Sequence, residues 1–91
     1  MIGIDKAGRK AARLAKRRCC KLNGKVYRYG NEWVFSTIDL SGRVVERNLP
    51  DILVDMETGA IREVYLPSDE GFRILNEKTP IEGSLDIDGR H

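Results

Sequence analysis

Positively charged side chains recur near the start of the chain at a spacing that suits contact with a phosphate backbone. At 100° per residue on a helix, seven of them fall within an arc of about 140°. They are Lys6, Arg9, Lys10, Arg13, Lys16, Arg17 and Lys21. Cations arranged in this way displace counterions from nucleic acid, and such binding weakens as salt rises. The same pattern is also typical of a solvated helix face, and Tyr27 and Tyr29 are either base-stacking or sheet-packing residues.

Acidic side chains form a second candidate surface. Residues 1–28 hold ten Lys and Arg against one acid, a net charge of +9, whereas residues 29–91 hold six against thirteen, a net charge of −7. The candidate protein-binding set combines acids of two predicted hairpins with one tryptophan. It consists of Glu32, Trp33, Asp51, Asp55, Glu57 and Glu63. An acidic face favours fast docking to a basic protein partner. Alternatively, the basic helix lies across the acidic face of its own sheet, or of a second copy in a homodimer.

Residues for catalysis or metal binding are sparse. Cys19 and Cys20 are adjacent, so they cannot form a disulfide within this fold; we expect Cys19 in the core and Cys20 as an exposed thiol. The lone His91 leaves too few ligands for zinc. Asp86-x-Asp88-Gly89 resembles the start of a calcium loop but lacks the later ligands. We therefore expect no metal, no cofactor and no enzymatic activity.

One amphipathic helix is predicted to carry the basic face. Apolar residues recur over residues 4–22 with helical spacing, and Asn23-Gly24 favours a stop there. Alanine dominates this apolar stripe, which suits close packing on a flat sheet. Within the predicted helix, Cys19 lies on the apolar stripe, and Arg18 lies there with its guanidinium at the rim.

Strands are predicted after the helix. Residues 26–29 and 32–40 form a hairpin across Gly30-Asn31, with a bulge near Ser36-Thr37 or burial on both faces, and Ser41-Gly42 turns into a strand at residues 43–48. Residues 52–55 and 60–66 form a second hairpin with Gly59 in the turn. Residues 72–75 stay unassigned between strand and helical turn.

The whole pattern predicts an α+β fold, with one N-terminal amphipathic helix packed on a four- to five-stranded antiparallel sheet. We expect a single domain at residues 1–75 and a flexible acidic tail at residues 76–91. The predicted core is Leu14, Val34, Phe35, Ile38, Ile52, Val54, Ile61 and Val64. No apolar stretch is long enough to span a membrane or form a secretory signal, so we expect a cytoplasmic protein without a membrane partner.

The helix, the strand with Trp33-Val34-Phe35 and the segment 50–61, PDILVDMETGAI, together resemble small cystatin-like or NTF2-like bacterial toxin-immunity proteins. The resemblance covers residues 4–66. It implies a helix wrapped against an antiparallel sheet and a stoichiometric inhibitor that masks a toxin without chemistry of its own. The basic helix and the segment 66–71 depart from that pattern. The leading expectation is thus a non-catalytic protein-binding module, monomeric or homodimeric, and the alternative is a nucleic-acid-binding accessory protein.

Overall fold

A computed structural model describes residues 2–42 and 48–81. Helix α1 (Ile4–Arg17) is followed by the strands β1 (Cys20–Tyr29), β2 (Glu32–Asp39), β3 (Asp51–Asp55) and β4 (Ile61–Val64), then helix α2 (Asp69–Glu77) and strand β5 (Thr79–Pro80). The strands form one sheet in the order β4-β3-β2-β1-β5, and every pairing is antiparallel. The predicted α+β class, with a helix on an antiparallel sheet, is confirmed.

Small residues let α1 lie close to the sheet. Its buried side consists of Ala7, Gly8, Ala11, Leu14 and Ala15. These residues follow the 3.6-residue period, so the opposite side carries the cations into solvent. Neither described helix is long and apolar enough to cross a membrane.

The junction between α1 and β1 differs from the prediction. The helix ends at Arg17, five residues earlier than expected, because Cys19 adopts a left-handed conformation with φ of 58° and turns the chain directly into β1. This turn reverses the predicted roles of the cysteines. Cys19 is exposed, whereas Cys20 is buried and its Sγ donates to the Ala15 carbonyl oxygen at 3.4 Å.

The bulge lies in β1 and not at Ser36-Thr37. Leu22 pairs with Thr37 and Val26 with Phe35, so β1 contains two extra residues between these pairs. Gly24, expected to stop the helix, lies inside this bulge with φ of 87°. Glycine adopts this left-handed conformation without steric cost, and it is therefore common at bulges.

The sheet is buried on both faces, which explains the mixed apolar parity of β2. Phe35, Ile52 and Val54 pack with α1 on one face. Val34 and Leu53 pack on the other face with Val64 of β4 and Ile74 of α2. Most of the predicted core is buried, but Ile38 is only partly buried and Ile61 remains 36% exposed.

The second hairpin has both predicted strands, but β4 ends at Val64, two residues before the predicted end. Its turn is held by the Asp55 carboxylate, which accepts hydrogen bonds from the backbone N–H groups of Glu57 at 2.8 Å and Thr58 at 2.9 Å. Gly59 follows with φ of 75°. The turn therefore presents its Gly59 carbonyl towards α1, where Lys10 contacts it.

Residues 69–77, which include the unassigned 72–75, form helix α2 on the sheet face opposite α1. Ser68 caps the helix by accepting a hydrogen bond from the Gly71 N–H at 2.9 Å, and acids fill the first turn. Residues 76–81, assigned above to a tail, complete α2 and form β5 beside β1. The expected strand at residues 43–48 lies almost wholly, and the tail beyond residue 81 wholly, outside the described residues.

Candidate functional site

A cavity of about 480 Å³ opens between α1 and the edge strand β4. Lys10, Arg13 and Arg17 line it from the helix, and Ile61 lines it from the strand. The three cations stand three and four residues apart, so they share the side of α1 that faces β4. Ile61 borders this cavity, which explains why it is more exposed than a core residue.

Two contacts join α1 and its cap residue to the hairpin of β3 and β4. In the first, the Lys10 ammonium donates a hydrogen bond to the Gly59 carbonyl oxygen at 2.7 Å. In the second, Arg18 donates to both carboxylate oxygens of Glu63, at 2.9 Å and 2.7 Å. The two elements that line the cavity, α1 and β4, are thereby held side by side.

The electrostatics of this region are strongly positive. Arg9, Arg13, Lys16 and Arg17 are exposed, and none forms an ion pair with an acid in the described parts of the chain. Glu63 is the acid whose pKa responds to this helix end: the hydrogen bond from Arg18 lowers it most, and the charge of Arg17 contributes. The described contacts thus leave most of the basic face free for an anionic ligand.

Lys21 does not belong to this face. It lies on β1, between the buried residues Cys20 and Leu22, and side chains alternate along a strand, so Lys21 points to the α2 side of the sheet. Sequence reasoning placed it on α1 because it extended the helix to residue 22. The other six basic residues of that set do lie on α1, and they are Lys6, Arg9, Lys10, Arg13, Lys16 and Arg17.

Glu32 and Asp55 are direct partners across β2 and β3, but Glu63 lies on the other face of the sheet from Glu32, so the acidic candidates do not form one surface. Glu32, on the α2 face, accepts two hydrogen bonds from Arg62 at 2.8 Å and 2.7 Å. Arg62 also pairs with Glu70 of α2 at 2.6 Å. Glu63, on the α1 face, is paired with Arg18. Two of the predicted binding acids therefore already neutralise arginines of this chain.

The remaining acids of that set differ in their surroundings. Asp55 holds the hairpin turn, and the hydrogen bonds from the Thr58 and Glu57 N–H groups lower its pKa. Burial raises the pKa of Asp51, against the opposing influences of Lys78 and Ser36. Glu57 is exposed at the turn.

Trp33 is largely structural. It packs against the α1-side core, and its indole N–H points to the Ile2 carbonyl oxygen at 3.4 Å. Its partial exposure leaves only part of the ring for a partner. Whether the acidic set and Trp33 bind a protein stays a prediction.

Metal binding finds no support in this region. In residues 2–42 and 48–81, no group of three or more His, Cys, Asp or Glu side chains is arranged to hold an ion. The described residues that line the cavity are three cations and one isoleucine; charged lysine and arginine do not ligate metals, and isoleucine has no ligand atom.

Sequence reasoning missed the participation of Ile61 and Arg18. Ile61 matched the pattern of a core residue, and only the edge position of β4 exposes it. Arg18 broke the helical pattern of charges, and that irregularity was the available signal. Its partner, 45 residues away, was not encoded in any local spacing.

No protein-family model, curated protein or solved structure matches this chain. The resemblance to toxin-immunity proteins stays a prediction that rests on the residues quoted above.

Proposed function

We propose that this chain binds nucleic acid through the basic face of α1 and the adjoining cavity. The observation that carries the proposal is the placement of Arg13 and Arg17: both are exposed, both line the cavity, and neither pairs with a described acid. Holding uncompensated cations on one rigid helix is unfavourable for the free protein, because like charges repel. A polyanion relieves that repulsion and releases its own counterions on binding.

The packing of α1 on the sheet also supports the proposal. Its apolar side is buried against the sheet, which orients the cations outward. Of the cations at this helix, Lys10 and the neighbouring Arg18 form described hydrogen bonds with the rest of the fold, and Arg17 acts on Glu63 through its charge. The alternative in which the basic segment lies across the acidic face of its own sheet is supported at Glu63 alone among the described acids, through Arg18 and the charge of Arg17.

The protein-binding proposal, an inhibitor or immunity protein that masks a toxin or other basic protein, has less support from the geometry. It requires a coherent acidic surface, whereas Glu32 and Glu63 lie on opposite faces and pair with Arg62 and Arg18. Extracting them for a partner would break these pairs. A homodimer joined through opposite charges meets the same difficulty, and sedimentation at low and high salt tests it directly, since such a dimer dissociates as salt rises.

The experiment is a fluorescence-anisotropy titration with labelled single- and double-stranded DNA and RNA at low and near-physiological salt. Wild type is compared with Arg13→Glu/Arg17→Glu. The matched control is Lys25→Glu/Arg73→Glu, which makes the same change in net charge at exposed positions away from the cavity.

We expect the first variant to lose binding and the control to retain most of it. Each lost phosphate contact should also reduce the slope of log affinity against log salt by about 1. Equal losses in both double variants would contradict a localised site and reduce the effect to net charge. Absence of binding by wild type at every salt concentration would refute the proposed function.

A further inference from the structure

We propose that the cavity between α1 and β4 receives an unpaired base of a single-stranded nucleic acid, with Arg13 and Arg17 contacting the backbone beside it. This inference rests on the proposed function and specifies its ligand. It arises because the basic site is concave, whereas a helix face that only tracks phosphates has no need of a cavity.

The shape of the site argues against a duplex. A helix that reads duplex DNA projects from the protein and enters the major groove. Here the turn at Gly59 stands against one flank of α1, with Lys10 bonded to it, and β4 continues along that flank to the Arg18–Glu63 pair. Bases in a duplex are paired and stacked, so they cannot enter a cavity beside the helix without being flipped out.

The lining suits the flat faces of a base. Ile61 supplies an apolar surface that is 36% exposed on the edge strand. Arg13 and Arg17 supply planar guanidinium groups, which stack on aromatic rings as well as pairing with phosphates. A volume of about 480 Å³ lies in the range of pockets that hold small organic ligands, so it is large enough for one nucleotide.

The same lining predicts weak preference among bases. Within residues 2–42 and 48–81, the side chains that line the cavity are two arginines, one lysine and one isoleucine, with no amide or carboxylate among them. They can donate hydrogen bonds but cannot accept them, so they read a base edge only partially. Stacking and charge would dominate, and both tolerate any sequence.

The test distinguishes the contribution of the bases to affinity from that of the phosphate backbone. Anisotropy titrations at near-physiological salt compare a labelled oligothymidylate, an abasic oligodeoxynucleotide of the same length and charge, and a duplex of that length. We expect the abasic strand to bind at least about fivefold more weakly than the intact strand, the lower end of what one stacked base contributes. The duplex should also bind more weakly than the intact single strand.

A variant assigns the effect to the cavity. Ile61→Ala should weaken binding of the intact strand while leaving the abasic strand unchanged, because only a base contacts the isoleucine. Leu75→Ala, at an exposed apolar position on α2, is the control and should change neither. Circular dichroism verifies the fold of both variants, and if Ile61→Ala unfolds, the abasic comparison with wild type decides alone.

The outcomes distinguish the two proposals. Equal affinity for intact and abasic strands, or tighter binding of the duplex, overturns the base-receiving cavity. If binding in either case is still abolished by Arg13→Glu/Arg17→Glu, the proposed nucleic-acid function stands without the base-receiving cavity. Failure of every probe to bind refutes the function and the cavity inference together.

Discussion

Arg18 donates two hydrogen bonds to Glu63, from Nε at 2.9 Å and from Nη2 at 2.7 Å, and so joins the end of α1 to the edge strand β4. Tyr65 adds a third contact by donating its hydroxyl to the same carboxylate at 2.8 Å. These contacts hold β4 beside the end of α1 that carries Arg17, one of the residues that line the cavity. Both side chains of the ion pair retain some solvent contact, so the pair adds little to stability and mainly positions β4 relative to the end of α1.

Acid titration should reveal the Arg18–Glu63 contact. The hydrogen bond from Arg18 lowers the pKa of Glu63 below its ordinary value of 4.5, so its stabilising contribution is present above that value and is lost as pH falls through the folded-state pKa. Urea unfolding should show Arg18→Gln slightly less stable than wild type at neutral pH, with the difference vanishing in acid and shrinking in high salt. Arg73→Gln is the control. A difference that persists in strong acid would contradict this prediction.

Asp51→Asn should stabilise the protein at neutral pH. Burial raises the pKa of Asp51 above its ordinary value of 3.8, so the folded state binds its proton more tightly than the unfolded state does. Stability is therefore lost as pH rises from that value through the folded-state pKa, and the neutral amide avoids this loss. Chemical denaturation at neutral and acidic pH measures it. A variant less stable than wild type at neutral pH would show that the attraction of Lys78 outweighs burial.

Gly59→Ala should destabilise the fold by about 1–2 kcal/mol, the typical cost of a left-handed backbone for a residue with a Cβ. A Cβ at this position would also stand 3.0 Å from the Lys10 ammonium. Gly30→Ala is the matched control, because its φ is 59° and nothing lies near the added Cβ. Thermal and urea unfolding compare the two variants. A larger loss for Gly30→Ala would exclude any contribution from crowding at Lys10.

Ile74→Ala should cost about 2–5 kcal/mol, as truncation of a buried isoleucine does. Leu75→Ala should change stability by less than about 0.5 kcal/mol, because this neighbour is 52% exposed. The pair tests whether α2 belongs to the cooperative fold. Equal, small effects in equilibrium unfolding would show that α2 unfolds separately from the sheet.

Local patterns sufficed for most of the architecture. The helical period of alanines predicted α1, and Gly59 between two apolar runs predicted the second hairpin. The end of α1 was predicted wrongly because Leu22 fits both periods: it continues the helical stripe, and it also alternates with Cys20 as an inward residue of a strand. The left-handed turn at Cys19 ends the helix, and the following residues form a strand.

The candidate site was only half predictable. The cations of α1 followed from spacing, since they belong to one continuous segment. The cavity required β4 to lie beside α1, and that adjacency results from the sheet order and not from any local signal. Helix α2 was missed although Ser68 with Asp69 and Glu70 is a start signal, because Phe72 and Ile74 also alternate like a short strand.

The Lys10–Gly59 and Arg18–Glu63 contacts hold the two walls of the cavity before any ligand arrives. Entry of a ligand therefore needs no closure of α1 onto β4, and the ordering cost of these walls has already been met during folding. Association should consequently follow one kinetic step, with an observed rate that rises linearly with protein concentration and shows no plateau. Salt should then slow the encounter itself, since attraction to the exposed cations governs its rate.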